Sequence, residues 1–69
     1  MTEHFYKKIE LVGTSDTSTE DAIEHAIARA SKTIRNIKWF EVVETRGRIE
    51  GGKVAQWQVT VKVSFDVEG

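Results

Sequence analysis

Trp39, Gln58 and Arg46 are the residues whose types could hold a flat ligand. An indole offers an electron-rich face for stacking, worth roughly 1–3 kcal/mol per ring by comparison with nucleobases. A Gln amide carries a donor and an acceptor side by side, which suits a ring edge of alternating N–H and C=O groups. Their spacing follows from one turn. Gly51-Gly52 supplies the positive φ values of a tight hairpin, so Glu50 faces Lys53 and the other pairs follow by counting outward. In that register Trp39 faces Ser64, Glu41 faces Lys62, Val43 faces Thr60 and Thr45 faces Gln58. The opposite face carries Phe40 with Val63, Val42 with Val61, Glu44 with Val59 and Arg46 with Trp57, and reads as the core face. Trp39 is left among polar neighbours, where a large aromatic on a small domain marks a contact surface.

Trp39 and Gln58 share that outer face, but Ser64, the partner of Trp39, lies six residues from Gln58. The separation is ~20 Å along a strand. The two cannot touch one ligand within a single chain unless the sheet folds sharply. They can do so across a symmetry axis, where a patch meets itself. The competing reading has Trp39 packed in a subunit interface, a setting in which Trp is enriched. Arg46 opposite Trp57 suits a cation–π contact. Arg46 and Arg48 together could hold a phosphate, although composition alone favours a solvated hairpin tip. The predicted cross-strand pair of Glu41 with Lys62 is structural and worth little if exposed.

The rest of the chain offers no reaction chemistry. Gly13-Thr14-Ser15 before a helix hints at anion binding, but no phosphate-loop glycine pattern is present and these residues read better as turn and cap. The chain has no Cys and two histidines, His4 and His25, so no nucleophile pair, thiolate metal site or convincing metal cage can be assembled. His25, on the helix, reads as a surface or interface residue.

Three strands and a helix must position these groups. Phe5 to Val12 alternates as a first strand, with Phe5, Lys7, Ile9 and Leu11 on one side and Tyr6, Lys8, Glu10 and Val12 on the other. Gly13 to Thr17 reads as a polar turn. Ser18 is a good N-cap, with Glu20 and Asp21 in the first turn. Ala22, Ile23, Ala26, Ile27, Ala30 and Ile34 then form one apolar stripe of a helix of roughly 16 residues ending near Asn36. Ile37–Ile49 and Lys53–Val67 are the hairpin strands. The predicted fold is α+β, a strand–helix–strand–strand order with a three-stranded antiparallel sheet wrapped around one helix. The helix spans ~24 Å and the strands ~43–50 Å, so the hairpin must curl or project into other subunits.

The 69 residues make one domain, taken as 1–69, and a core of this size rarely supplies more than about 3–5 kcal/mol. Without disulfides or a metal, oligomerisation is the favoured supplement. The formal net charge is −1, with no basic block of the kind that binds nucleic acid. Met1-Thr2-Glu3-His4 begins no apolar run and no stretch approaches membrane-spanning length. The expectation is a cytoplasmic protein without a signal peptide or a membrane partner.

The chain resembles the dodecins. The resemblance rests on Tyr6-Lys7-Lys8-Ile9-Glu10-Leu11-Val12-Gly13-Thr14-Ser15, on Glu20-Asp21-Ala22-Ile23 and on Lys32-Thr33-Ile34-Arg35. It continues through Trp39-Phe40-Glu41-Val42, Arg46-Gly47 and Gln58-Val59, and so covers nearly the whole chain. It implies a hollow dodecamer of cubic symmetry that binds flavins as stacked pairs between subunits. By the same resemblance Trp39 sandwiches the isoalloxazine, Gln58 bonds its edge and Arg46 lies near the ligand, with Lys38 and Tyr6 completing the flavin-binding set. Arg46 and Arg48 look bacterial, which implies FMN, with riboflavin or FAD as alternative flavins. Some bacterial relatives also bind coenzyme A; Arg29 and Lys32 are the candidates here, while Asp66 stands where some of those relatives carry a basic residue. The implied role is flavin storage and sequestration in a homododecamer, without enzymatic turnover. The alternatives are a structural oligomer in which Trp39 is interface packing, and a flavin- or thioester-dependent enzyme.

Overall fold

The computed structural model describes residues 3–67. Met1 and Thr2, which entered the signal-peptide expectation, lie outside them. The element order is β1 (Tyr6–Ser15), α1 (Thr19–Ala30), β2 (Ile37–Glu50) and β3 (Lys53–Asp66). The three strands form one antiparallel sheet in the order β1-β3-β2. This is the expected strand–helix–strand–strand fold. β3 is the central strand, and its Val59, Val61 and Val63 are buried against Ala22 and Ala26 of α1. Ile9, Leu11, Ile23, Ile27 and Ile37 pack around that cluster. The small side chains of the helix stripe let α1 lie close to the sheet.

β1 runs three residues further than the sequence suggests. Gly13, Thr14 and Ser15 pair with Val59, Gln58 and Trp57 instead of forming a turn. Gly13 is buried under the helix, where a Cβ would stand 2.0 Å from the Ala22 carbonyl oxygen. Its purpose is close approach of sheet and helix. Ser15 then becomes an inner cap. Its hydroxyl donates to Asp21 Oδ2 at 2.6 Å and accepts from the backbone N–H of Thr17 and, at 3.3 Å, of Ser18. Ser18 is the N-cap as expected, its Oγ accepting from Asp21 N–H at 3.0 Å.

The helix has 12 residues, shorter than predicted. It unwinds after Ala30 through turns in which Thr33 and Ile34 N–H still reach the Ala30 carbonyl. Asn36, with φ of 63°, makes the left-handed step into β2. A 12-residue helix spans ~18 Å, whereas the molecule extends 57 × 20 × 13 Å. The hairpin therefore projects well past the helix.

α1 packs on β1 and β3. Of β2 only Ile37 packs against this core and the rest of the strand is exposed, which corrects the expectation that the whole second face is core. Phe40 and Val42 face the helix side, yet they remain 43% and 46% exposed. Past Ile37, β2 is an edge strand open on both faces.

The hairpin register holds at the turn and from Trp39 to Val42 but is shifted by one between two irregularities. Near the tip Arg48 pairs with Gln56, so Ala55 is an extra residue on β3. Further along, Val42 pairs with Val61 and Glu44 with Thr60, so Val43 is an extra residue on β2 and restores the count. Glu44 consequently faces Thr60 on the outer face, not Val59. Thr45 faces Val59 instead of Gln58, and Arg46 faces Gln58 instead of Trp57. The physical reason is legible in Glu44: the unbulged register would set a carboxylate against the valine core.

Candidate ligand-binding face

The outer face of the sheet, away from α1, collects most of the predicted site residues. At one end Tyr6 and Trp39 stand on either side of β3, opposite Asp66 and Ser64 respectively. Their ring centroids are 4.8 Å apart at an interplanar angle of 57°. Trp39 is 45% exposed. Ser64 forms the floor between them. Its small side chain is fully buried, and its hydroxyl has no hydrogen-bond partner among the described residues. His4 stacks on Tyr6, with centroids 6.2 Å apart, and its Nδ1 lies 2.9 Å from Asp66 Oδ2.

Beside this aromatic pair lies an ion pair that the sequence reading missed. Lys8 Nζ donates to Glu41 Oε1 at 2.6 Å across the central strand. The expected partner of Glu41 was Lys62, its register neighbour. The hydrogen bond from Lys8, then its charge, hold the Glu41 carboxyl below the usual carboxylate range; desolvation opposes this and Lys62 adds a smaller pull. Lys8 already fell on the Tyr6 side of β1 by alternation. What the sequence lacked was the strand order that sets β1 beside β3.

At the other end the bulges bring Arg46 to the outer face. Arg46 Nε donates to Gln58 Oε1 at 2.8 Å, and Gln58 Nε2 donates to Gln56 Oε1 at 2.9 Å. The predicted cation–π contact of Arg46 with Trp57 is thereby replaced by a hydrogen bond to Gln58. Arg48 is engaged by Glu50 at 3.0 Å. Lys38 is exposed and sits at the irregularity between Ile37 and Trp39, with no β3 partner in the ladder.

The two clusters share a face but not a pocket. Trp39 pairs with Ser64 and Arg46 with Gln58, which leaves ~20 Å of strand between them. Arg29 lies elsewhere, at a groove between α1 and β1 of about 410 Å³ that His25, Ala26, Thr33 and Ile34 also line. Lys32 is exposed in the turn after the helix. His25 Nδ1 is 2.9 Å from the Thr14 carbonyl oxygen, tying the helix to β1. Among the described residues no three His, Cys, Asp or Glu side chains converge on a point, and no helix is long and apolar enough to cross a membrane.

These features define a small α+β module that displays ligand-type side chains on an open sheet face, not in a closed cleft. The Dodecin family model matches residues 5–68, and the chain belongs to the dodecin family. A dodecin of Thermus thermophilus is 52% identical over 63 residues, which cover 91% of each chain. The solved dodecin of Streptomyces coelicolor superposes with a TM-score of 0.93 at 46% identity, covering 100% of this chain and 99% of that one. A more distant structure, a calcium-chelating dodecin of Mycobacterium tuberculosis, gives a TM-score of 0.80 at 30% identity, covering 93% and 91% of the two chains.

Proposed function

We propose that the protein binds and stores a flavin, FMN in the first instance, between symmetry-related copies of itself in a homododecamer. The observation that carries this reading is Trp39. Its indole lies 45% exposed on an open face, flanked by Tyr6 at 4.8 Å. An isoalloxazine stacked on it would cover that surface, and a second copy would close the sandwich. Gln58 offers a donor and an acceptor for the ring edge. Arg46, on the same face, supplies a positive charge for a phosphate-bearing flavin. Lys38 at the exposed edge and Tyr6 beside the indole complete the set. The ~20 Å between the aromatic and amide clusters supports a site shared by different copies.

The role is sequestration without turnover, in the cytoplasm. A flavin pressed against an indole loses its excited state by electron transfer and becomes dark. A ring held between two indoles leaves no open face for a substrate. Coenzyme A, the alternative ligand that the resemblance implies, would draw on Arg29, which lines the groove between α1 and β1, and on the exposed Lys32.

The test is to titrate ligand-free protein into FMN and follow flavin fluorescence. Strong quenching that saturates near one flavin per chain is expected. Trp39→Ala should abolish it while the assembly keeps its size in solution. Undiminished fluorescence at micromolar protein would refute storage. Collapse of the assembly in Trp39→Ala would favour interface packing as the role of the indole.

A further inference from the structure

The Gln58 side chain is held at both ends of its amide. Its Oε1 accepts from Arg46 Nε at 2.8 Å, and its Nε2 donates to Gln56 Oε1 at 2.9 Å. A guanidinium only donates, so the carbonyl end of Gln58 is the end that faces Arg46. The amide nitrogen then points toward Gln56, which has to present its own carbonyl. Arg46 thus sets the direction of the row, and Gln56 supplies the acceptor that completes it. Gln56 is placed for this because residues two apart on a strand share a face. Arg48, across the ladder from Gln56, is taken up by Glu50 at 3.0 Å.

We propose that Gln56 is a positioning residue for the ligand-reading amide, an inference that rests on the flavin reading above. Gln58 retains one Oε1 lone pair and one Nε2 hydrogen beyond its two internal bonds. Those two valences are what a ring edge can meet. The terminal torsion of a free Gln is broad and roughly two-fold. A flipped amide would set acceptor against acceptor. With Arg46 at one end and Gln56 at the other, donor and acceptor reach the ligand in fixed order. Specificity for the ring edge is then shared by a residue that never touches the ligand.

The experiment uses riboflavin, which carries no phosphate, and N3-methylriboflavin, in which the edge N–H is replaced by a methyl group. Affinities are read by fluorescence quenching for wild type, Gln56→Leu and Gln56→Glu. Leucine removes the acceptor; a carboxylate accepts from Nε2 as the amide carbonyl does. Gln56→Leu should weaken riboflavin binding about three- to tenfold, the usual worth of one hydrogen bond. It should also shrink the penalty imposed by the N3-methyl group. Gln56→Glu should hold both quantities within about twofold of wild type. Wild-type affinity and wild-type discrimination in Gln56→Leu would overturn the proposal. So would Gln56→Glu falling as far as Gln56→Leu, since the position would then only pack. Failure of the wild-type chain to bind either compound would refute the flavin reading itself, and this inference with it.

Discussion

Replacing Gly13 by alanine should lift helix α1 off the sheet. An added Cβ would stand 2.0 Å from the Ala22 carbonyl oxygen and 2.9 Å from Ala26 Cβ. Non-bonded carbon contacts sit near ~3.5–4.0 Å, so the helix would have to withdraw by more than ~1 Å. Neither obstacle can swing aside, because one is helix backbone and the other is a methyl with no torsion to relieve it. Overpacking typically costs about 1–3 kcal/mol, and a clash with backbone directly over the Val59–Val61–Val63 core belongs at the upper end. At ~4–8 °C per kcal/mol for a domain of this size, about 3 kcal/mol lowers Tm by roughly 12–24 °C. Gly52 is the internal comparison. It has φ of 76° and open space around it, so alanine there meets only the left-handed penalty of about 1–2 kcal/mol. The assay is thermal unfolding followed by circular dichroism, without ligand and at matched protomer concentration, because assembly and ligand both shift Tm. A Gly13→Ala protein melting within about 5 °C of wild type, or above Gly52→Ala, would refute the close-approach argument.

Three further outcomes are expected. Ser15→Ala should destabilise by about 1–3 kcal/mol, because it removes the hydrogen bonds to Asp21 and from the N–H groups of Thr17 and Ser18, and should exceed the roughly 1 kcal/mol of Ser18→Ala; denaturant unfolding that ranks them the other way contradicts the inner-cap reading. The Glu41 carboxyl, followed by carbon NMR, should titrate below the ordinary glutamate range and move back up in Lys8→Met. Since its folded pKa is depressed, the pair contributes stability above the unfolded value and loses it as pH falls through the folded one; an unshifted or raised midpoint would remove the pair from the account. Arg46→Ala should weaken FMN more than riboflavin and flatten the salt dependence of FMN binding. Equal losses for the two flavins would confine Arg46 to holding Gln58.

Much of the fold was legible because the signals were local. Gly51-Gly52 set the hairpin, the alanine-rich stripe set the helix face, and alternation put Tyr6 and Lys8 on one side of β1. What was not legible depended on tertiary contact. Gly13 looks like punctuation in a sequence and becomes a packing surface only when a helix lies over it. The bulges at Val43 and Ala55 leave no mark in composition, yet they decide which way Arg46 points. Glu44 carried a usable hint, since a charged side chain assigned to a core face should have called the count into question. Lys8 could be paired with Glu41 only once β1 was known to lie beside β3.

The two compensating bulges matter more for the site than for stability. Without them Arg46 would point toward the helix side, and Gln58 would lack the donor that orients its amide. With them, the stretch of β2 nearest the tip is rotated relative to the stretch that carries Trp39, and both present their ligand-type groups outward. Distance along the strand, which the bulges do not change, is what keeps the two groups from forming a pocket in one chain. An aromatic wall at one end of a straight strand and an amide reader at the other are too far apart for one ring system. The edge strand that carries Trp39 and Arg46 is also, past Ile37, exposed on both faces. On the flavin reading that surface is completed by another copy of the chain, so assembly and ligand binding draw on the same exposed strand. Changes to the β2 backbone should therefore disturb both together, whereas single side-chain changes, at Trp39 or in the Gln56–Gln58 row on the central strand, can alter recognition alone.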